Sequence, residues 1–325
     1  MQAFSFDGVQ PGQVPVAGAV SMAGRQAAKP GQAPAAAPQQ SGGLFGMFGG
    51  GGAAPAAAAQ VPPDKENQDG VLLVPNLYDG VGMYLVFDGH GEYGLSVTNW
   101  VTKNLPAYVA GAVAEGRPGQ LLNRVTDAYR LADRALQEAL GYDTVEDSGT
   151  TAALVLTKGS RLLVGGLGDS RVVLGVDNGD GSLGAQAVTL DQSPIVPAEE
   201  QRIVASGGEV RDEGTSGRIY AAGQPWPGLA VSRAFGDADA KQYGVTVDPQ
   251  FIGWNRRPQD FCLILASDGV WNAMGNDAAV QYANDYRQTK DSKAAAKAIV
   301  ETSREIWEEM ARGRIDDITC LVIYF

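Results

Sequence analysis

The sequence is poor in histidine, cysteine and basic residues, and these shortages exclude several classes of function. Among 325 residues there are one histidine, two cysteines, and 25 Lys and Arg against 37 Asp and Glu, which gives a formal net charge of −12. A protein that binds nucleic acid through its phosphate backbone needs an excess of positive charge, so we expect no nucleic-acid partner. A structural zinc site needs several thiolate or imidazole ligands, and the sequence has no cluster of them.

The chain also lacks a long apolar run, and its two cysteines do not suggest a disulfide. No stretch of 18 or more apolar residues occurs, and no basic region leads into an apolar signal sequence, so no membrane span is expected. Cys262 and Cys320 each lie inside an apolar segment, where a free thiol behaves as a small hydrophobic residue. Free thiols are typical of a reducing compartment, so we expect the protein in the cytoplasm or nucleus. We also expect a monomer.

Residues 1–61 form a low-complexity region that is rich in Ala, Gly, Pro and Gln. Residues 26–61 contain too few apolar side chains to offset the entropy lost on ordering, so they are predicted to be disordered. Residues 14–25 are small and apolar and form a candidate first strand. From residue 62 onward the composition is that of a packed domain.

The packed region groups its strands and its helices. Apolar patterns predict strands at residues 71–74, 83–87, 150–157, 161–166, 171–176, 185–190, 251–254, 261–267 and 318–325. Helical spacing predicts helices at residues 93–113, 120–140, 198–205, 276–286 and 293–310. Residues 206–228 are polar and glycine-rich and are predicted to be a mobile loop. Runs of strands and runs of helices, without strict alternation, indicate an α+β fold with helices packed on antiparallel sheets.

Residues 83–91 place a carboxylate, a backbone carbonyl and an imidazole directly after an apolar run. Residues 83–87 predict a buried strand that ends at Asp88. Gly89 and Gly91 flank His90 and allow the backbone to approach an ion closely, because no Cβ blocks the way. His90 is the sole histidine, so an imidazole acid or base must be this one. The alternative is an Asp-Gly turn with a surface histidine.

Four aspartates share one setting, at the end of an apolar strand and beside a glycine or a second acid. They are Asp88, Asp169, Asp268 and Asp316, the last followed by Asp317. Single acids at strand ends are usually solvated, but several on one sheet edge repel each other unless a cation neutralises them. Carboxylate oxygens without imidazole or thiolate suit Mg²⁺ or Mn²⁺. Two such ions can activate a water and hold a phosphoryl group, which favours hydrolysis of a phosphoester.

Seven short motifs follow one another between residues 62 and 325. They are Asn67-Gln68-Asp69, Asp88-Gly89-His90-Gly91, Ser148-Gly149-Thr150-Thr151-Ala152, Gly168-Asp169-Ser170-Arg171, Leu229-Ala230-Val231-Ser232-Arg233-Ala234-Phe235-Gly236-Asp237, Ala266-Ser267-Asp268-Gly269-Val270-Trp271 and Asp316-Asp317-Ile318-Thr319. This series resembles that of the metal-dependent protein Ser/Thr phosphatases of type 2C. The resemblance implies that residues 62–325 are a phosphatase catalytic domain that acts on phosphoproteins. Its fold would be a sandwich of two antiparallel β-sheets flanked by α-helices, with two Mg²⁺ or Mn²⁺ ions at one end.

The resemblance implies a role for each residue at this dinuclear site. Asp88 would bridge both ions, and Gly89 would offer its carbonyl oxygen to one of them. Asp268 and Asp316 would hold the first ion. His90 would be the general acid that protonates the departing Ser or Thr oxygen, a role that suits imidazole because its pKa lies near neutral pH.

The remaining metal ligands depart from the family pattern. Gln68 and Asp69 correspond to an acidic pair beside the second ion, and Gln68 replaces a glutamate, which we expect to weaken that ion's binding. Asp169 would belong to a third, weaker metal site. Asn272 stands where the family usually has an aspartate, and this puts the third site in doubt.

The family's phosphate-binding arginine is also replaced. It often lies five residues before Asp69, where this chain has Asp64. The candidates for the phosphate contact are Lys65 and Arg25. Arg25 ends residues 21–25, which resemble the family's first strand; residues 26–61 would then be an insertion, and otherwise residues 14–25 belong to a disordered leader. Together the departures leave open a weak or inactive relative that binds phosphoproteins or another partner.

Overall fold

The structure is a computed structural model, and it describes residues 4–6, 8–24, 66–115, 119–213, 216–310 and 315–325. The segment predicted to be disordered, residues 26–61, lies outside these ranges. Asp64 and the two candidate phosphate ligands, Lys65 and Arg25, lie outside them as well.

The described residues contain strands that group into four sheets. The strands are β1 (Val16–Met22), β2 (Gly70–Tyr78), β3 (Val81–Phe87), β4 (Gly89–His90), β5 (Gly149–Thr150), β6 (Ala152–Lys158), β7 (Arg161–Leu167), β8 (Arg171–Asp177), β9 (Leu183–Ala187), β10 (Gly208–Arg211), β11 (Arg218–Ala221), β12 (Pro227–Leu229), β13 (Phe235–Gly236), β14 (Gln250–Asn255), β15 (Asp260–Ala266) and β16 (Ile318–Tyr324).

The described helices lie close to where the apolar spacing predicts them. They are α1 (Gly94–Ala114), α2 (Leu121–Leu140), α3 (Tyr142–Val145), α4 (Pro197–Ala205), α5 (Ala238–Lys241), α6 (Asp268–Trp271), α7 (Asn276–Asp285) and α8 (Ser292–Met310). In α2 the residues Leu121, Val125, Ala128 and Ala132 recur at helical spacing and are buried. None of these helices is long and apolar enough to cross a membrane.

Two five-stranded antiparallel sheets face each other and form a sandwich. One has the strand order β1-β16-β15-β8-β9, and the other β14-β7-β6-β3-β2. Alternate side chains of the central strands, such as Tyr84, Val86 and Leu263, pack between the sheets. The opposite face of β3, with Leu85, packs against α1 and α2, whereas α7 and α8 cover the other sheet. The structure therefore confirms the predicted α+β sandwich flanked by helices.

Strand β1 is an integral part of the first sheet. It pairs with β16 in antiparallel register over seven residues, from Val16 opposite Tyr324 to Met22 opposite Ile318. Ser21 Oγ also lies 2.6 Å from Thr319 Oγ1. Upstream of β1, Phe6 is 6% exposed and packs in the core beneath α1 and α2. The described residues before β1 are thus docked on the sandwich.

One prediction is wrong: residues 206–228 are not a mobile loop. In the described part of this segment, β10, β11 and β12 form a small antiparallel sheet. Ile219 is fully buried and packs with Ile203 and Val245, so this sheet has its own apolar contacts. Strands of three or four residues are too short to show an alternating apolar pattern. The glycines between these strands are typical of loops, so the sequence of the segment predicts a loop.

Candidate active site

A second small sheet brings three of the motifs together. Its strand order is β13-β5-β4, and each strand has two residues. His90 pairs with Gly149, and Gly149 pairs in turn with Gly236. The predicted strand at residues 150–157 is broken at Thr151, because β5 belongs to this small sheet and β6 to the sandwich. Backbone pairing therefore places the His90, Gly149 and Asp237 motifs side by side.

Thr151 lies at the break and joins the ends of two sandwich strands. Its N–H donates to the Asp88 carbonyl at 2.9 Å, and its Oγ1 accepts from the Asp88 N–H at 3.1 Å. The same Oγ1 lies 2.7 Å from Ser170 Oγ, next to Asp169. These bonds fix the Asp88 and Asp169 backbones relative to each other. The contacts of Thr151 are therefore structural.

The predicted acids converge around Asp88. Desolvation raises the pKa of Asp88 well above its ordinary value, and the negative charges of four other carboxylates raise it further. These four belong to Asp69, Asp268, Asp316 and Asp169. All five residues are partly exposed, so the cluster lies near the surface of the molecule and not deep in its interior. The structure therefore brings together every acid that was singled out from the sequence.

Asp69 offers this cluster a carboxylate oxygen that lacks a hydrogen-bond donor. Its Oδ2 accepts from Ser267 Oγ at 2.9 Å, but its Oδ1 is buried and has no hydrogen-bond partner. Burial, and then the charges of Asp317 and Asp316, raise the pKa of Asp69 to about 7, although hydrogen bonds from Thr319 and Ser267 oppose the shift. A buried carboxylate oxygen without a donor suits a hard cation. The donor set of the cluster consists of oxygens, and it therefore fits Mg²⁺ or Mn²⁺.

No three acidic, imidazole or thiolate side chains among the described residues are already drawn together as ligands of one ion. Mg²⁺ is commonly held by one or two carboxylates together with waters, so a site for it does not require such a group.

Asp317 holds two chain segments at the edge of the cluster. Its Oδ1 accepts the N–H of Gly24 at 2.7 Å, just after β1, and its Oδ2 accepts the N–H of Gln68 at 3.0 Å. Asp317 is 1% exposed. The carboxylate therefore acts as a fixed acceptor that places the Gln68-Asp69 backbone beside Asp316. The sequence reasoning assigned Asp317 no such function, because its partners are distant in sequence.

His90 lies beside the acids and contacts one further carboxylate. Its Nε2 is 2.8 Å from Asp237 Oδ2, and the Asp237 side chain is almost fully buried. Burial alone lowers the pKa of His90, but the charge and hydrogen bond of Asp237 outweigh it and raise the pKa above its ordinary value. The sequence reasoning quoted Asp237 only as the end of a motif and missed this contact.

Buried Gln192 supports the turn that carries Asp169, and buried Glu199 is linked to it through Ser232, whose Oγ lies 2.7 Å from both the Gln192 carbonyl and Glu199 Oε2. Gln192 Oε1 accepts the N–H of Gly168 at 2.8 Å, and Gln192 Nε2 donates to the Gly166 carbonyl at 2.9 Å. Glu199 accepts from Ser232 Oγ at 2.7 Å and from the Arg233 guanidinium at 2.5 and 3.0 Å. The side chains of Ser232 and Arg233 therefore bind a structural carboxylate and do not line the acidic cluster as ligands.

Comparison with known proteins identifies the family. The family model described as protein phosphatase 2C matches residues 64–310, about three quarters of the chain. The chain belongs to the protein phosphatase 2C family. It is accordingly a metal-dependent protein serine/threonine phosphatase, and phosphoproteins are its class of substrate.

Two phosphatases are similar to this chain in sequence and fold, and a third protein is similar in fold alone. The chain is 34% identical over 276 residues to probable protein phosphatase 2C 72 of Arabidopsis thaliana, which covers 79% of this chain and 81% of the relative. Its fold is similar to the crystal structure of a serine-threonine phosphatase 2C from Toxoplasma gondii, with a TM-score of 0.69, 28% identity, and coverage of 80% of this chain and 91% of that one. A Caenorhabditis elegans sex-determining protein shares the fold at 16% identity, with a TM-score of 0.68, 95% of this chain covered and 64% of that one.

Within this phosphatase, two of the three departures from the family pattern lie in the described residues and have defined hydrogen bonds. Gln68 Nε2 donates to the Gly91 carbonyl at 2.9 Å. This bond connects the Asn67-Gln68-Asp69 motif to the turn around His90. Asn272 Nδ2 donates to Asp268 Oδ2 at 2.9 Å. An aspartate at position 272 would instead add a negative charge beside Asp268.

Proposed function

We propose that the acidic cluster of this phosphatase binds two Mg²⁺ or Mn²⁺ ions and that Asp88 is their shared ligand. The observation that carries the proposal is the convergence of four carboxylate charges on Asp88, together with the unpartnered Oδ1 of Asp69. Repulsion among five neighbouring carboxylates raises the free energy of the metal-free protein, and bound cations would lower it. When bound, such ions supply Lewis-acid activation of a water and of the phosphoryl group.

The other residues are assigned by their places around Asp88. We propose that Asp268 and Asp316 hold the first ion and that Gln68 and Asp69 lie beside the second, with the Gly89 carbonyl as an added ligand. Asp169 is the candidate for a third ion. The contact of Asn272 with Asp268 supplies an amide donor where the family has a charged ligand, and this supports weak binding at the third site.

His90 is proposed as the general acid of the reaction. It follows Asp88 by two residues, in strand β4 (Gly89–His90), and 27% of its side chain is exposed. A positioned imidazole can protonate the departing Ser or Thr oxygen, which is a poor leaving group as an alkoxide.

Lys65 and Arg25 remain the proposed contacts for the substrate phosphate. Gly24, which precedes Arg25, binds Asp317, and Gln68, three residues after Lys65, binds the same carboxylate. Gly24 and Gln68, which flank the two cations in sequence, are therefore both bound next to the acidic cluster. A cation there would offset carboxylate repulsion of the substrate phosphate.

We further propose that the catalytic domain consists of β1 together with residues 62–325 and that residues 26–61 are inserted between them. The pairing of β1 with β16 supports this division. Deleting residues 26–58 should leave activity and melting temperature nearly unchanged, because loop closure depends only on the logarithm of loop length. Deleting residues 1–58 should lose both, because it removes an entire strand. Equal behaviour of the two deletions in activity assays and thermal melts would contradict the proposal.

We propose a monomer in the cytoplasm or nucleus. The two cysteines are free and buried, which suits a reducing compartment.

The decisive experiment is hydrolysis of a phosphoserine or phosphothreonine peptide. We expect turnover with Mn²⁺ or Mg²⁺, loss of turnover on exhaustive chelation with EDTA, and recovery when the ion is restored, because these ions retain water ligands and dissociate readily. Titrating each ion with the metal-free protein by calorimetry gives the number of sites. Full activity after chelation would contradict the metal site. Binding of the phosphopeptide without turnover would favour the alternative, a non-catalytic relative that recognises phosphoproteins.

A further inference from the structure

Among the described contacts of the Asp237 carboxylate, none is to its own loop. Asp237 precedes the short helix α5, yet its carboxylate forms no capping hydrogen bond there. It is 2% exposed, so it does not act through solvent. A buried carboxylate is costly unless it has a partner, and the partner that the structure shows is His90 Nε2, at 2.8 Å.

The backbone around Asp237 holds this carboxylate in place. The Asp237 N–H donates to the Ser148 carbonyl at 3.0 Å, and the Asp237 carbonyl accepts from the Lys241 N–H at 3.0 Å. The preceding N–H, of Gly236, donates to Asp133 Oδ1 at 2.9 Å. These three hydrogen bonds hold the backbone at Asp237 in place, so its carboxylate can hold the His90 ring in one orientation.

Gly149 gives the carboxylate the space it occupies. Gly149 lies between His90 and Gly236 in the small sheet. A Cβ at position 149 would collide with Asp237 Oδ2 and with the Phe235 carbonyl. The absence of a side chain at position 149 is therefore a condition for the contact between Asp237 and His90.

We propose that Asp237 is a positioning residue that fixes the ring of His90 for proton transfer to the leaving group. This inference rests on the proposed function of His90 as general acid. Asp237 occupies Nε2, so Nδ1 is the nitrogen that carries the transferable proton. As the phosphorus–oxygen bond of the substrate breaks, the Ser or Thr oxygen takes this proton from Nδ1, while the oxygen of a water forms the new bond to phosphorus. A proton from that water leaves to solvent, and solvent returns a proton to the ring.

The test compares two substrates that differ in their need for an acid. A phosphoserine peptide releases an alkoxide that must be protonated, whereas 4-nitrophenyl phosphate releases a stable phenolate. For Asp237→Asn we expect kcat on the peptide to fall by about 10²-fold, because a misplaced catalytic group loses this much, with KM and the rate on 4-nitrophenyl phosphate nearly unchanged. His90→Ala should show the same selectivity with a loss of roughly 10²–10⁴-fold. The double variant should lose no more than His90→Ala alone.

Two further variants separate positioning from general damage to the loop. Gly149→Ala displaces Asp237 without changing it and should reproduce the selectivity of Asp237→Asn. Asp133→Asn weakens the same loop through Gly236 and Lys241 but does not contact His90, so it should affect both substrates alike. Because His90 is the only histidine, nitrogen-15 NMR of the ring reports directly which nitrogen carries the proton, and Asp237→Asn should change that signal.

Equal losses on both substrates for Asp237→Asn, or no loss on either, would overturn the inference while leaving the phosphatase assignment intact. A selective loss in Asp133→Asn would also overturn it, because loop displacement would then explain the effect. Absence of metal-dependent turnover by the unchanged protein on both substrates would instead show that the proposed function fails.

Discussion

Asp88→Asn is expected to abolish metal-dependent hydrolysis and to stabilise the metal-free protein. The substitution removes the proposed shared ligand of both ions, so turnover of a phosphopeptide should fall to background. It also removes the negative charge of Asp88, which the four neighbouring carboxylates repel. The stabilising half of the prediction follows from the direction of the pKa shift, because the folded protein holds a proton on Asp88 that the unfolded chain releases at lower pH.

The pH dependence gives this prediction its sign. A carboxyl whose folded pKa is raised favours the folded state below the ordinary carboxyl pKa of about 4, and this advantage is lost as the pH rises toward the folded pKa. For Asp69 the folded pKa is about 7. The free energy of unfolding of the metal-free protein should therefore decrease between about pH 4 and pH 7, and the decrease should be smaller in Asp88→Asn.

Urea denaturation in EDTA at pH 5 and pH 8 measures both effects. Glu138→Gln is a matched control, since Glu138 is exposed on α2 and far in sequence from the acidic motifs. It should leave activity and the pH dependence unchanged. If Asp88→Asn were less stable than the unchanged protein in EDTA at pH 8, Asp88 would be a structural residue and the proposed metal site would lose its electrostatic basis.

Glu199→Ala is expected to destabilise the protein by about 3–5 kcal/mol, because it removes the buried carboxylate of the largely buried ion pair with Arg233. Glu199 is 2% exposed and binds Arg233, Ser232 and Arg202. Burial alone raises the pKa of Glu199, but the hydrogen bonds from Arg233, Arg202 and Ser232 and the charge of Arg233 outweigh it and lower the pKa to about 2. This carboxylate links helix α4 to the segment that follows β12, so its loss should also disturb the Asp169 turn.

The sign of the pH effect is opposite to that of Asp88. The stabilisation from Glu199 is fully present above the ordinary glutamate pKa of about 4.3 and is lost as the pH falls toward its folded pKa of about 2. The difference in unfolding free energy between the two proteins should therefore shrink between about pH 4 and pH 2.

Glu200→Ala is the matched control, since Glu200 is the exposed neighbour on the same helix. It should change stability by no more than about 0.5 kcal/mol. Denaturation at pH 7 and at pH 3 tests both variants. A loss below about 1 kcal/mol for Glu199→Ala at pH 7 would show that the network is not coupled to folding, since a typical point mutation costs that much.

Local patterns in the sequence were sufficient to predict an α+β fold with antiparallel sheets, and the family resemblance implied that two of these sheets form a sandwich. Strands such as β3 and β15 are buried along their whole length, and continuous apolar runs of five to seven residues show this directly. Helices α1 and α2 have enough turns for their spacing to be visible. The sheet formed by β10, β11 and β12 was not predictable, because strands of three or four residues carry no period and depend on the apolar contact with Ile203 and Val245.

The acids of the site were predictable as residues but not as a constellation. Asp88, Asp169 and Asp268 each follow an apolar run and Asp316 precedes one, and that local signal, with the family resemblance, determined which side chains to expect. Their role as metal ligands stays a prediction, as does the phosphate contact of Lys65 or Arg25. Their convergence around Asp88 depends on strand order, since β3, β8, β15 and β16 come from both sheets.

The sequence by itself determined the chemistry that is possible, and the tertiary structure decided which groups act together. A single histidine, oxygen ligands and strand ends are properties of short segments, so they can be read locally. The contacts of Asp237 with His90, of Asp317 with Gly24 and of Glu199 with Arg233 join residues that are separated by 147, 293 and 34 positions. No local propensity encodes such pairs, because they form only when the two sheets and their connecting segments have packed.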